Sequence, residues 1–246
     1  MEALEVVKLS KSFGGLHAVR DVSFRVMQGE RMAIIGPNGA GKTTLFQLIS
    51  GMLTPSGGSV FAFGTDITKL PPNRRAGIGI GRTFQITQLF MNLTVLENVV
   101  LALEALHKMR FNLLRPLSSY RQLLAQAEDI LKRWGMLDRR DTMARNLSYG
   151  EQRQLEIILT LSQNRSILLL DEPTCGLSPE EARSFVSMIR DLPRTITILI
   201  IDHDIDVTFE IAEKVMVLHF GAVIAYGPSE EVKVNPRVQD IYMGSQ

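Results

Sequence analysis

Cysteine is almost missing from this chain: Cys175 is the only one among 246 residues. A single thiol excludes an intrachain disulfide and any structural zinc site built on several cysteines, and it suits a reducing compartment. An excess of one charge is missing too, since 27 basic and 26 acidic residues leave a formal net charge of +1. No overall field therefore draws the chain to nucleic acid or to an anionic membrane, and a dedicated nucleic-acid-binding role is set aside. Long apolar runs are absent as well. The longest, near Thr195 to Ile201, falls well short of the roughly 18 residues that cross a bilayer. The amino-terminal stretch lacks the charged-then-apolar layout of a signal peptide, so the expected location is cytoplasmic, with any membrane role exerted through partners. Internal repeats and low-complexity segments do not occur.

What is present is a globular composition, 45% hydrophobic, enough to bury a core in one large α/β domain. Apolar and polar residues alternate at Val22-Ser23-Phe24-Arg25-Val26 and at Ser59-Val60-Phe61-Ala62-Phe63, the pattern of half-buried antiparallel strands. Met32-Ala33-Ile34-Ile35, Ile167-Leu168-Leu169-Leu170 and Ile196 to Ile201 are instead near-continuous apolar runs. Such runs predict strands covered on both faces, hence a mostly parallel sheet between helices. Lys214 to Tyr226 predicts a hairpin turning at Phe220-Gly221. Between Leu89 and Arg145 the strand signals give way to helical spacing, as in Val95, Val99, Ala102 and Leu103, then Leu123, Leu124, Ala127, Ile130 and Leu131. The expectation is a single domain over 1–246, with a core from 1–88 and 146–246 and an inserted helical subdomain at 89–145. Lys108, Arg110, Arg115 and Arg121 fall in a stretch without acidic residues from Ala105 to Ala127. They read either as a solvated basic insertion or as a contact for a partner subunit or lipid headgroups.

Gly36-Pro37-Asn38-Gly39-Ala40-Gly41-Lys42-Thr43 matches the G-x-x-x-x-G-K-[ST] phosphate loop, and it stands between a buried strand and the helical stretch from Thr44 to Ile49. Glycines let backbone N–H groups converge on phosphate oxygens, and the following helix turns its positive end to the same anion. Lys42 would reach the β- and γ-phosphates of ATP and the Thr43 hydroxyl would ligate Mg²⁺. A lysine buried at a helix start is costly unless an anion lies beside it, which weighs against a plain glycine turn. Asp171 and Glu172 close a buried run at the strand end where open α/β sheets keep their ligands. Asp171 suits Mg²⁺, and Glu172 suits the general base that orients the attacking water. Two sequences read as capped helix starts: Ser178-Pro179-Glu180-Glu181 and Ser148 with Glu151.

Leu147-Ser148-Tyr149-Gly150-Glu151-Gln152 resembles the LSGGQ-type signature of ATP-binding cassette ATPases. With the loop at 36–43 and the acidic strand end, the resemblance to ATP-binding subunits of ABC transporters covers nearly the whole chain. It implies a P-loop NTPase cassette with an antiparallel β subdomain and an inserted helical subdomain. It also implies that Ser148 and Gly150 face the γ-phosphate held by a second subunit, so that one copy carries two half-sites. By the same resemblance Gln85, in Gly81-Arg82-Thr83-Phe84-Gln85, would touch Mg²⁺ and the attacking water. His203 would contact the γ-phosphate, Phe13 would stack on adenine, and Thr44 would complete the loop. The implied partners are a homodimeric or heterodimeric second ATPase, two transmembrane permease subunits and, indirectly, a solute-binding protein at the inner membrane.

The chain departs from the common pattern at Tyr149 and Glu151 of the signature and at Ser178, where the family usually has Asp. Together with Gly81 to Gln85, Leu89 to Val99 and the tail from Gly227 to Gly244, the Tyr-containing signature is similar to the ATPases of branched-chain amino acid importers. Urea, amide and aromatic-acid importers share these features. A cassette serving lipopolysaccharide export and a non-enzymatic nucleotide sensor remain competing readings. Chromosome-type members with long heptad arms and translation-type members with two cassettes do not fit this length.

Overall fold

The computed structural model describes residues 1–83, 89–104, 121–163, 165–202 and 204–243. The chain divides into two compact units, Met1–Gln85 with Ser166–Gln246, and Ile86–Arg165. The first unit opens with two twelve-residue strands, β1 (Glu2–Phe13) and β2 (Leu16–Met27), then β3 (Arg31–Ile35) and helix α1 (Lys42–Ser50). It continues through β4 (Gly57–Ala62), β5 (Thr65–Asp66), α2 (Pro72–Ile78) and β6 (Ile80–Arg82). The second unit contributes α3 (Val95–Glu104), α4 (Arg121–Arg133) and α5 (Tyr149–Ser162). The chain then returns to the first unit with β7 (Ile167–Asp171), α6 (Pro179–Asp191), β8 (Thr197–Ile201) and α7 (Ile205–Ile211). The hairpin β9 (Lys214–His219) and β10 (Ala222–Pro228) follows, ahead of α8 (Ser229–Lys233) and α9 (Pro236–Met243).

Strands β2, β1, β4 and β5 pair in that order as an antiparallel sheet. On β2 the alternation is kept, with Val22, Phe24 and Val26 buried and Ser23 and Arg25 exposed. The second sheet runs β10-β9-β3-β8-β7-β6 and is parallel except for β10. Every residue of β3, β7 and β8 is buried, which is why those strands read as continuous apolar runs. One core joins the two sheets: Leu4, Val6 and Val60 from the first, Ile34, Leu169 and Leu199 from the second, and Leu45, Phe46 and Ile49 from α1. Each such side chain contributes about 1.5–3 kcal/mol on leaving water, so α1 is fixed firmly against β7. The far end of α1 is held by Arg75, only 1% exposed, whose guanidinium donates to the carbonyls of Leu48, Ile49, Thr68 and Leu70 at 2.6–2.9 Å. Burial pushes its pKa down to about 10.

At the β9–β10 turn Phe220 and Gly221 have φ of 45° and 79°, the mirror-image turn that matches strand twist. Strand β9 also pairs in parallel with β3, so the hairpin belongs to the large sheet.

In the helical unit, Val95, Val99 and Leu103 of α3 bury against Leu123, Ala127 and Leu131 of α4. Leu147 and, on α5, Leu155 and Ile158 join the same core. The apolar face of α5 thus finds its partners among the helices, and the unit runs to Arg165 where the sequence pattern ended it at Arg145. Lys108, Arg110 and Arg115 of the basic stretch lie outside the described residues.

Candidate functional site

The chain leaves β3 at Ile35 and enters α1 at Lys42, and the six residues between are shaped by glycine. Gly36, Gly39 and Gly41 have φ of 154°, 78° and 100°, backbone that L side chains rarely adopt. A Cβ on Gly36 would run into the carbonyl oxygen of Leu218, and one on Gly41 into that of Ala18. The loop is laced to its neighbours: Gly221 N–H donates to Ala40 O (3.0 Å) and Arg20 N–H to Gly221 O (2.8 Å). The β9–β10 turn therefore grips the loop, and β2 in its turn holds the hairpin turn in place. The Lys42 ammonium folds back to donate to Gly36 O (2.6 Å) and Pro37 O (3.1 Å). Burial holds its pKa below the usual lysine range, while the negative charges of Glu172 and Asp171 act in the opposite sense.

Those two carboxylates stand at the carboxyl end of β7. Asp171 is 3% exposed, and its Oδ2 receives Arg82 Nη2 at 2.6 Å. The other arm of Arg82, Nη1, donates to Ser50 Oγ on α1 at 3.0 Å. Glu172 adopts φ of 48°, and its N–H donates to Ile201 O of β8 at 2.7 Å. A left-handed non-glycine residue is strained, and such strain persists only where neighbouring structure imposes it. Here Asp202 supplies part of that restraint, accepting from Thr174 N–H (3.2 Å), Thr174 Oγ1 (2.7 Å) and Asp204 N–H (3.1 Å).

A cavity of about 380 Å³ gathers Asn38 to Thr44 and Glu172 with Phe13, Leu16, His17, Ala18, Arg20 and Phe220. One part of this lining is loop backbone, lysine and carboxylate; another is aromatic and aliphatic, which suits a ligand that is anionic at one end and a flat ring at the other. Phe13 is 47% exposed, and the Lys11 ammonium lies 5.1 Å from its ring centre. Gly36 and Pro37 contribute carbonyls to Lys42 without lining the cavity.

Ser148 and Gly150 belong to the helical unit. Ser148 Oγ accepts from Glu151 N–H (3.2 Å), and Glu151 Oε2 accepts from Ser148 N–H (2.8 Å), a reciprocal cap at the start of α5. Gln85 and His203 lie outside the described residues. Arg82, Asp202 and Phe220 also belong to this region, although the sequence pattern alone does not assign them to it. Arg82 stands inside the quoted Gly81 to Gln85 segment and Asp202 directly follows the apolar run ending at Ile201, so a polar residue beside a buried strand is the available signal.

The family profile described as ABC transporter matches residues 19–175. The chain is 37% identical over 248 residues to the high-affinity branched-chain amino acid transport ATP-binding protein LivG of Salmonella typhimurium, covering 98% of this chain and 97% of that protein. It is equally 37% identical, over 246 residues, to the lipopolysaccharide export system ATP-binding protein LptB of Acidithiobacillus ferridurans, covering 100% and 98%. Among solved structures, the ADP conformation of an ATP-binding cassette of an ABC transporter superposes over 100% of both chains with a TM-score of 0.86 at 32% identity. The chain therefore belongs to the ABC transporter family as an ATP-binding, ATP-hydrolysing cassette.

Proposed function

We propose that this cassette energises an importer of branched-chain or related hydrophobic amino acids. In this reading it works as a homodimer or heterodimer on the cytoplasmic face of the inner membrane, against two transmembrane permease subunits fed by a solute-binding protein. The observation that carries the reading is the likeness to LivG across 98% of the chain, supported by the Tyr149-containing signature and the Gly81 to Gln85 segment. The likeness to LptB across the whole chain favours a second reading, lipopolysaccharide export.

The proposed chemistry follows from the first unit's residues. Backbone N–H groups of the glycine loop and the amino end of α1 receive the β- and γ-phosphates, and Lys42 turns its ammonium from the Gly36 and Pro37 carbonyls to them. Phe13 stacks on adenine at the aromatic part of the cavity. The Thr43 hydroxyl and the Asp171 carboxylate are hard oxygen donors of the kind Mg²⁺ prefers. They would hold the metal together with Gln85, and the bound ion would neutralise phosphate charge. Glu172 accepts the proton of the water that attacks the γ-phosphorus; the bond to the β–γ bridging oxygen breaks, leaving ADP and phosphate. His203 is assigned to the γ-phosphate. Ser148 and Gly150 are assigned to the γ-phosphate of the second subunit, so closure of two copies completes both sites.

Glu172→Gln keeps the shape and removes the base. Phosphate release should fall by about 10²–10⁴-fold, as for loss of a general base, while ATP binding persists. Near-normal turnover would remove Glu172 from its role. To separate the two solute readings, the cassette is reconstituted with its permeases and binding protein in vesicles. ATP-dependent leucine uptake supports import, whereas lipopolysaccharide extraction without leucine uptake would overturn it.

A further inference from the structure

Tyr149 is the first residue of α5 and stands where the signature usually has glycine, which raises the question of how a phenol fits at a helix end meant to receive another subunit's phosphate. Side chains on an α-helix lean toward its amino terminus. An unrestrained tyrosine at the first position would therefore lean past the first turn and cover the N–H groups there. One turn further on, Arg153 leans back toward the same point. Its Nη2 donates to the Tyr149 hydroxyl at 2.6 Å, with the guanidinium carbon 5.0 Å from the ring centre. Arg153 is itself fixed, 3% exposed, with Nη1 donating to Glu156 Oε2 at 2.8 Å. A buried guanidinium holds its donors in a rigid planar fork, so one arm braces on Glu156 while the other reaches the phenol, a span that the compact ammonium of a lysine does not reproduce.

We propose that Arg153, braced by Glu156, is a positioning residue that keeps the Tyr149 ring along the flank of α5 and leaves the amino end of the helix open to a second copy's nucleotide. This rests on the shared-site reading above. The signature thereby tolerates an aromatic residue in place of glycine because the helix carries its own restraint four residues downstream.

The test uses ATP-dependent dimerisation, measured by sedimentation in the Glu172→Gln background, beside fluorescent-ATP binding by the single subunit. Arg153→Met is paired with Glu156→Gln so that no carboxylate is stranded. If about a tenth of the proper conformation survives release of the ring, affinity falls in proportion, and the ATP concentration for half-dimerisation is expected to rise by about tenfold. ATP binding by the single subunit stays unchanged. Arg153→Lys, which keeps a cation against Glu156, should show a shift in the same direction with the same melting temperature as the parent. Adding Tyr149→Gly to either variant should restore dimerisation, a rescue that a general loss of helix stability would not give. An unshifted midpoint, absence of rescue, or weaker dimerisation by Tyr149→Gly alone would overturn the assignment to Arg153. Failure of the Glu172→Gln parent to dimerise with ATP would instead overturn the shared-site reading, and this inference with it.

Discussion

Lys42 is held between opposing demands. Its ammonium is buried on two carbonyls, and burial holds its pKa below that of an ordinary lysine. In the unfolded chain the proton is bound more tightly, so the unliganded protein gains stability as pH rises from the depressed folded value to the usual one. Nucleotide affinity has the opposite sign, because a phosphate needs the ammonium and loses it as pH climbs through the folded pKa. The expected result is that ATP binding weakens at a lower pH than ordinary lysine titration would give, with proton uptake on binding in that window, measured by calorimetry in buffers of different ionisation enthalpy. Lys42→Met should abolish both the pH slope and the uptake; their persistence would assign them to another group. Gly41 gives a companion test. With φ of 100° and the Ala18 carbonyl in the way of any Cβ, Gly41→Ala must move β2 or the loop, so thermal stability and ATP binding are expected to fall together.

Helices α5 and α6 begin with the same device. Ser148 with Glu151 and Ser178 with Glu181 each exchange side-chain-to-backbone hydrogen bonds of 2.8–3.3 Å. Either serine changed to alanine should cost about 1 kcal/mol, read as equal shifts in denaturant midpoint. Only Ser148→Ala should also weaken ATP-dependent dimerisation. Loss of dimerisation in both would mean that capping, rather than the proposed cross-subunit contact, is what Ser148 supplies. Both caps were legible because the signal is local, four residues long and followed by an apolar face. The same holds for the glycine loop and for β3, β7 and β8, whose burial on both faces leaves unbroken apolar runs at 32–35, 167–170 and 198–201. Strand β1 was not legible: register shifts against β2 and positive φ at Lys8 break its alternation. Strand β6 has three residues, too few for a period. The tie between Arg82 and Asp171 spans 89 positions, and no local pattern reports a contact made across a sheet.

At the scale of the whole molecule the question is what brings the cassette to a membrane. Among the described residues no helix is long and apolar enough to cross one, and a net charge of +1 gives no general attraction to anionic lipid. The proposed attachment is therefore to permease subunits rather than to the bilayer. Co-expression with both permeases should move the chain into the membrane fraction, and alkaline carbonate should release it, as it does proteins held by contacts and not by insertion. The basic stretch around Lys108 to Arg121 is the competing anchor, since clustered lysine and arginine bind anionic headgroups at about 1 kcal/mol per residue near the surface. Co-sedimentation with vesicles containing phosphatidylglycerol separates the two. Permease-based attachment predicts no retention by lipid alone, whereas retention that is lost with added salt and with Arg121→Gln, Lys108→Gln and Arg110→Gln would transfer the anchor from the permeases to the headgroups.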